Sequence, residues 1–246
     1  MQLIMRSLRF YYAGPYHWDG EFVLPESVFR HAVQVLRLKA GAVIQLFDGE
    51  GHEYSAELTQ VAKREALAKL TAEITNHSES PLKVTLLQGI SRGERMDFAI
   101  QKAVELGVQQ IVPVMTERCN VQLGGERAEK RRAHWQGVLI SACEQSGRAV
   151  LPELTAIMDL ETALACCNTD CKLVLDPQAQ QHFNVLTKPS SVTLLIGPEG
   201  GLSDDEIMAA GQSGFTAIQF GPRILRTETA SAAALAIVQA NWGDIG

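Results

Sequence analysis

The sequence predicts two domains. A small β-rich domain carrying one helix spans residues 1–75, and an α/β domain on a parallel sheet spans 83–246, with a polar linker at 76–82. Three observations predict this. Up to residue 75, short apolar runs alternate with turns, the pattern of half-buried strands. Beyond Pro81, continuous apolar runs alternate with helical stretches, as buried parallel strands and their crossover helices do. Between them, the segment NHSESP at 76–81 is polar and ends in proline, which marks a linker.

Element by element, Phe22 to Leu38 reads as a short strand, a turn at Pro25 and a helix with Val28, Ala32, Val35 and Leu36 as its apolar positions. Residues 39–42 (KAGA) form a turn. Val43 to Phe47 and Glu53 to Val61 make a hairpin about Asp48-Gly49-Glu50-Gly51, and Ala66 to Ile74 adds another strand. In the second domain Lys83 to Gln88 is a buried strand. Met96 to Leu106 is a helix with Met96, Ile100, Ala103 and Val104 on one side, closed by Gly107. Gln110 to Val114 is a strand and Glu129 to Gln145 a long helix. Cys171 to Leu175, Val192 to Ile196 and Ala217 to Phe220 are short buried strands; Ser203 to Gln212 and Thr227 to Trp242 are helices.

Composition excludes several classes. With 46% hydrophobic and 20% charged residues, the chain can bury enough apolar surface to fold, so it is not a disordered polymer. Its 20 glycines lack the three-residue period of collagen. No run of about 18 apolar residues predicts a membrane span; Ala230 to Ala240 is interrupted by Ser231 and Gln239 and suits a buried helix. Met1 to Tyr12 has no apolar core after Arg6 and Arg9, so a signal peptide is not expected and a cytoplasmic location is. Five cysteines predict free thiols in a reducing compartment. Cys166, Cys167 and Cys171 lack the spacing and partner pair of a metal centre, so no metal is expected.

The formal charge of −6 conceals a gradient. Residues 1–40 and 88–148 carry a basic excess, whereas 149–210 hold two basic and nine acidic side chains. Arg127, Lys130, Arg131 and Arg132 form a basic cluster, which is either a solvated helix face or a phosphate contact.

Two loops stand out. Leu195 to Glu206 (LIGPEGGLSDDE) runs from a strand through a Gly/Pro loop into a helix, with Ser203 and Glu206 spaced as a capping box. The loop falls at a strand's carboxyl end, where open α/β sheets bind ligands. It has neither the Lys-Ser/Thr of a phosphate loop nor a dinucleotide fingerprint, so a tight turn and a ligand cradle both remain open. Phe220 to Ala230 (FGPRILRTETA) repeats the design. Arg223 and Arg226 precede a helix whose N-terminus favours anions, so helix stability does not account for them. Either they serve function or they pair with acids such as Glu199 or Glu228.

Taken together, the two loops resemble the C-terminal region of SPOUT-class, trefoil-knot methyltransferases. They are specifically similar to the bacterial family that methylates N3 of one uridine in 16S rRNA of the small ribosomal subunit. The segments SRGERM (91–96), KAVELG (102–107), ERCN (117–120), ACEQSGR (142–148) and HAVQVLR (31–37) agree with that family, so the resemblance spans nearly the whole chain. It implies a trefoil knot in the α/β domain, a PUA-like β-barrel at the N-terminus that binds RNA, a homodimer, and bound S-adenosylmethionine.

On that footing, the cofactor-binding candidates are Leu175, Ile196, Gly197, Gly200, Gly201, Phe220, Gly221, Ile224, Leu225, Thr229 and Ala230. The N3 of uridine is a weakly acidic imide nitrogen, nucleophilic only as its proton leaves. A proton acceptor, or cations that stabilise charge on O2 and O4, would lower the barrier. Arg223 and Arg226 are the candidate cations, and Glu199 and Glu228 the candidate acceptors. Arg6, Arg9, Arg30, Arg37 and Arg92 are the candidate RNA contacts, with Tyr11 and Tyr12 either stacking on bases or packing inward. His31 is a cap or an RNA contact, and Glu144 and Arg148 either join the cleft or pair at i,i+4. The competing functions are a ribose 2′-O-methyltransferase of the same class and a non-catalytic, RNA-binding ribosome assembly factor.

Overall fold

The structure, a computed structural model, describes residues 8–119, 124–183 and 187–246. The chain divides into two compact units, Met1–Glu79 with Cys143–Leu151, and Ser80–Ala142 with Pro152–Gly246. The sequence places 143–151 within the second domain; in the structure that segment clusters with the first.

The first unit is a five-stranded sheet in the order β1-β3-β4-β5-β2. Its strands are β1 (Arg9–Tyr11), β2 (Phe22–Val23), β3 (Val43–Phe47), β4 (Glu53–Val61) and β5 (Ala66–Ile74). β1 and β3 are parallel; the other neighbours are antiparallel. Phe10, Ile44, Leu46, Ala56, Leu58 and Ala68 fill the core with Val28 and Phe29 of helix α1 (Glu26–Phe29). From Arg30 to Val35 the helix continues with π geometry. This wider winding changes the facing of later residues. Val35 and Leu36, expected on the apolar side, are exposed at 64% and 40%.

The first unit also holds a buried polar cluster. Arg9 donates from Nε to Glu53 Oε1 at 2.7 Å and from its terminal nitrogens to the carbonyls of Cys143 and Arg148. Arg148 donates to Glu79, and Glu144 accepts from the Tyr11 N–H at 3.1 Å. The i,i+4 pair open to Glu144 and Arg148 is thus replaced by separate partners. Burial raises the Glu144 carboxyl above its ordinary value, against the lowering effects of that N–H, His31 and Arg9.

The second unit holds the parallel sheet. Its main order is β12-β10-β11-β6-β7-β8, with β9 paired to β7. The strands are β6 (Lys83–Gly89), β7 (Gln110–Met115), β8 (Glu153–Leu154), β9 (Met158–Asp159), β10 (Cys171–Leu175), β11 (Ser191–Ile196) and β12 (Thr216–Ile218). Its helices are α2 (Glu94–Glu105), α4 (Leu160–Ala165), α5 (Asp204–Gln212) and α6 (Thr227–Trp242), together with most of α3 (Glu126–Ser146). Leu87, Val174 and Leu195 point into a core shared with Leu160 and Leu164 of α4 and Ala210 of α5. Their neighbours Leu86, Leu173 and Leu194 face the other side, because strand residues alternate. There α6 packs on β11 and against α2. Both sheet faces are therefore covered, which explains the continuous apolar strands. Among the described residues no helix is long and apolar enough to cross a membrane.

Candidate functional site

All strand pairings in this sheet are parallel, so the carboxyl ends of β10, β11 and β12 lie along one edge. The loops leaving those ends line one cavity of about 1050 Å³. Its position follows from chain order. From β6 the chain steps to β7 on one side and later returns to β11 on the other, and the loop after β11 stands at this switch point.

The β11 loop is built for close approach. A Cβ on Gly197 would lie 2.9 Å from the Gly201 carbonyl carbon, so only glycine fits there. Gly201 adopts φ +71°, a left-handed conformation that glycine adopts without strain. The loop ends in the expected capping box: Ser203 accepts from the Glu206 N–H, and Glu206 Oε2 accepts from the Ser203 N–H at 2.8 Å. Glu206 Oε1 also accepts from the Glu117 N–H at 2.8 Å. Arg118 then donates from Nη1 to the carbonyls of Gly200 and Leu202 at 3.3 and 3.0 Å.

The β12 loop is different in character. Arg223, Ile224 and Arg226 are exposed, Ile224 at 84%. Among the described residues neither arginine makes an ion pair. Arg226 is the N-cap residue of α6 but offers no side-chain cap, and Glu228 occupies the first turn. Glu228 lines the cavity, and its Oε2 is buried without a hydrogen-bond partner among the described residues.

Glu199 takes another partner. Its Oε1 accepts from the Arg92 N–H and from Arg95 Nη1, both at 2.9 Å. Burial pushes its carboxyl up, but the Arg92 N–H and the Arg95 guanidinium outweigh this and hold it below its ordinary value. Glu199 Oε1 is thus engaged as an anchor, whereas Glu199 Oε2, like that of Glu228, is buried without a hydrogen-bond partner among the described residues.

Leu175, Ile196, Gly197, Gly200, Gly201, Phe220, Gly221, Ile224, Leu225 and Ala230 all line the cavity, as do Arg223, Arg226, Glu199 and Glu228. Thr229 is exposed and lies outside that lining. Arg95, Arg118 and Asp176 line the cavity too and were not singled out from the sequence. The Asp176-Pro177 step that follows β10 was the available signal, since it marks a strand-to-loop exit.

The expected RNA contacts separate. Arg30, Arg37 and Arg92 are exposed, although Arg30 also pairs with Glu26. Arg9 is only 8% exposed and spends its donors within the first unit, so its surface is closed to a nucleic acid. This corrects the sequence reading. Arg6 lies outside the described residues. Tyr12 stacks on Phe22 and Tyr11 packs on Phe47, the inward alternative for both rings. His31 meets Phe10 edge-on rather than capping a helix. The five cysteines are free thiols, and among the described residues no group of metal-ligating side chains converges.

Comparison with known proteins agrees with this geometry. A family model described as an RNA methyltransferase domain matches residues 78–239, and one described as an RNA methyltransferase PUA domain matches 24–71. The chain is 37% identical to a ribosomal RNA small subunit methyltransferase E from Buchnera aphidicola, covering 90% of this chain and 91% of that protein. It is 31% identical to the protein of the same name from Bacillus subtilis, covering 88% and 89%. Among solved structures it resembles the methyltransferase E of Neisseria gonorrhoeae bound to S-adenosylmethionine (TM-score 0.91, 42% identity, 98% and 100% covered). It also resembles a putative methyltransferase from Legionella pneumophila with the same bound cofactor (TM-score 0.94, 38% identity, 98% and 100% covered). With a family match over most of its length, and relatives this similar from end to end, the chain belongs to the RNA methyltransferase family that includes the ribosomal RNA small subunit methyltransferase E proteins.

Proposed function

We propose that this chain is an S-adenosylmethionine-dependent methyltransferase that modifies N3 of a uridine in 16S rRNA of the small ribosomal subunit. It acts in the cytoplasm as a homodimer, and the β11 and β12 loops form a trefoil knot. The observation that carries the reading is the cavity where both glycine loops meet Glu228 and two arginines, Arg223 and Arg226, that make no ion pair among the described residues.

The cavity fits the cofactor. Its volume of about 1050 Å³ is at the upper end for small-molecule sites. Ile196, Leu225 and Ala230 offer an apolar wall beside the Gly197–Gly201 backbone, as an adenine needs. S-adenosylmethionine supplies an electrophilic methyl group on a sulfonium. The protein's task is to deprotonate and orient the imide. Glu228 is the better proton acceptor, because Glu199 Oε1 already accepts from Arg92 and Arg95, which hold that carboxyl below its ordinary value. As the N3 proton passes to Glu228, its lone pair becomes free to take the methyl group, and charge on O2 and O4 is stabilised by Arg223 or Arg226. Arg30, Arg37 and Arg92 are exposed cations available to RNA phosphates. The exposed Ile224 is apolar surface that a second subunit would cover.

The test is single-turnover methyl transfer to small-subunit RNA, with mass analysis of the modified nucleoside. Expected are 3-methyluridine and losses of about 10²-fold or more for Glu228→Gln and Arg226→Ala. A 2′-O-methylated product would move the target to the ribose. Cofactor binding with no product from any small-subunit substrate would favour the assembly factor. Unchanged rates would remove Glu228 and Arg226 from catalysis.

A further inference from the structure

We propose that Thr227 is a positioning residue for cofactor binding: its hydroxyl, oriented by the buried Gln88, holds the Gly197 carbonyl and thereby the glycine loop of the cavity. The inference rests on the S-adenosylmethionine reading above.

The backbone ladder between β6 and β11 ends at the pair Gln88 and Ile196. At the next residue the chains pack so closely that a Cβ on Gly89 would stand 2.5 Å from Pro198 N. Side chains continue the connection from there. Gln88 Nε2 donates to Thr227 Oγ1 at 3.1 Å, and Thr227 Oγ1 donates to Gly197 O at 2.7 Å. An amide nitrogen only donates and a hydroxyl carries one proton, so the Thr227 proton must point at Gly197. Reversing the Gln88 amide would set its oxygen against the Gly89 carbonyl, which its nitrogen now reaches at 3.1 Å. Ser231 Oγ lies within hydrogen-bond reach of both Gln88 Oε1 and the Thr227 carbonyl, and its one proton serves one of them at a time. Gln88 and Ser231 are wholly buried, and Thr227 and Gly197 line the cavity itself.

Gly197 is where the cavity loop begins, and Thr227 is the first residue of α6, next to Arg226. One hydroxyl therefore sets two cavity walls against each other. Without it, the Gly197 carbonyl loses its tether and is free to turn into the space a ligand needs.

Calorimetric titration with S-adenosylmethionine tests this on the full chain, with thermal melting in parallel. The variants are Thr227→Val, which keeps the shape and loses the proton, and Thr227→Ser, which restores it. Ser80→Ala is the stability control, since it removes a buried hydrogen bond to Gln239 outside the cavity. Thr227→Val is expected to weaken binding about tenfold or more, the scale of one buried hydrogen bond. Thr227→Ser should return to within about threefold of the parent, and Ser80→Ala should melt lower yet bind as the parent does. The inference is overturned if Thr227→Val binds as the parent does, or if Ser80→Ala loses as much affinity. A parent that binds no S-adenosylmethionine overturns the cofactor reading itself, and the inference with it.

Discussion

Arg95 Nη1 donates to Glu199 Oε1 at 2.9 Å, and both residues line the cavity. The pair, with the Arg92 N–H, explains why Glu199 is a poor proton acceptor: its folded-state value lies below the ordinary 4.5. A carboxyl depressed by folding adds stability above its unfolded value, and that contribution is lost as pH falls through the folded one. Thermal melts at stepped pH should show the parent more stable than Glu199→Gln at pH 7. The difference should shrink below about pH 4.5.

Glu144 has the opposite sign. Burial raises its carboxyl above the ordinary 4.5, so folding favours the protonated form. That stability is present at low pH and is lost as pH rises from 4.5 through the folded value. Glu144→Gln, which can still accept from the Tyr11 N–H, should gain stability relative to the parent across that rise. Melts of both proteins between pH 4 and pH 8 (roughly the carboxylate-to-histidine range) check it.

Arg9 and Arg30 should part company under mutation. Arg9→Ala leaves Glu53 charged and buried without its partner, a loss of about 3–5 kcal/mol. Arg30→Ala breaks an ion pair whose side chains are mostly exposed, worth about 0–1 kcal/mol. Denaturant unfolding gives the first comparison. RNA affinity of the folded protein gives the second: Arg30→Ala should weaken it and Arg9→Ala should not.

The two glycines of the β11 loop also separate. Gly197→Ala forces a Cβ to 2.9 Å from backbone, which should cost about 1–3 kcal/mol and cofactor affinity as well. Gly201→Ala meets open space and bears only its φ of +71°, a strain of about 1–2 kcal/mol. Calorimetry should rank Gly197→Ala as the weaker binder.

Periodicity made the longer elements legible. Val43–Phe47, Glu53–Val61, Ala66–Ile74, Cys171–Leu175 and Thr227–Trp242 appear with the bounds that the sequence predicts. β1, β8 and β9 did not, because two or three residues cannot establish a period. α4 is six residues long, and its one local signal is Asp159 accepting from the Thr162 N–H. The cavity was legible because glycine and proline at strand exits carry a meaning of their own. Arg9 was misread because its residue type suggests phosphate, while its fate is decided by Glu53 and Cys143, 44 and 134 residues away. Arg118 was missed for a related reason: nothing in its neighbours says that it will reach the carbonyls of Gly200 and Leu202.

The first unit is not a cassette. Its polar cluster draws on Cys143 and Arg148, from a segment that follows the first 63 residues of the second unit, Ser80–Ala142. A fragment ending at Glu79 would carry the sheet and the Arg9–Glu53 pair, yet leave the Glu79 carboxylate without Arg148 and the Arg9 terminal nitrogens without the Cys143 and Arg148 carbonyls. Domain-swapped chimaeras of such proteins should therefore be spliced at three junctions, near 79, 142 and 151, rather than at the apparent linker. A graft that carries residues 143–151 along with 1–79 keeps the charges of its interior paired, and one cut at the linker alone does not.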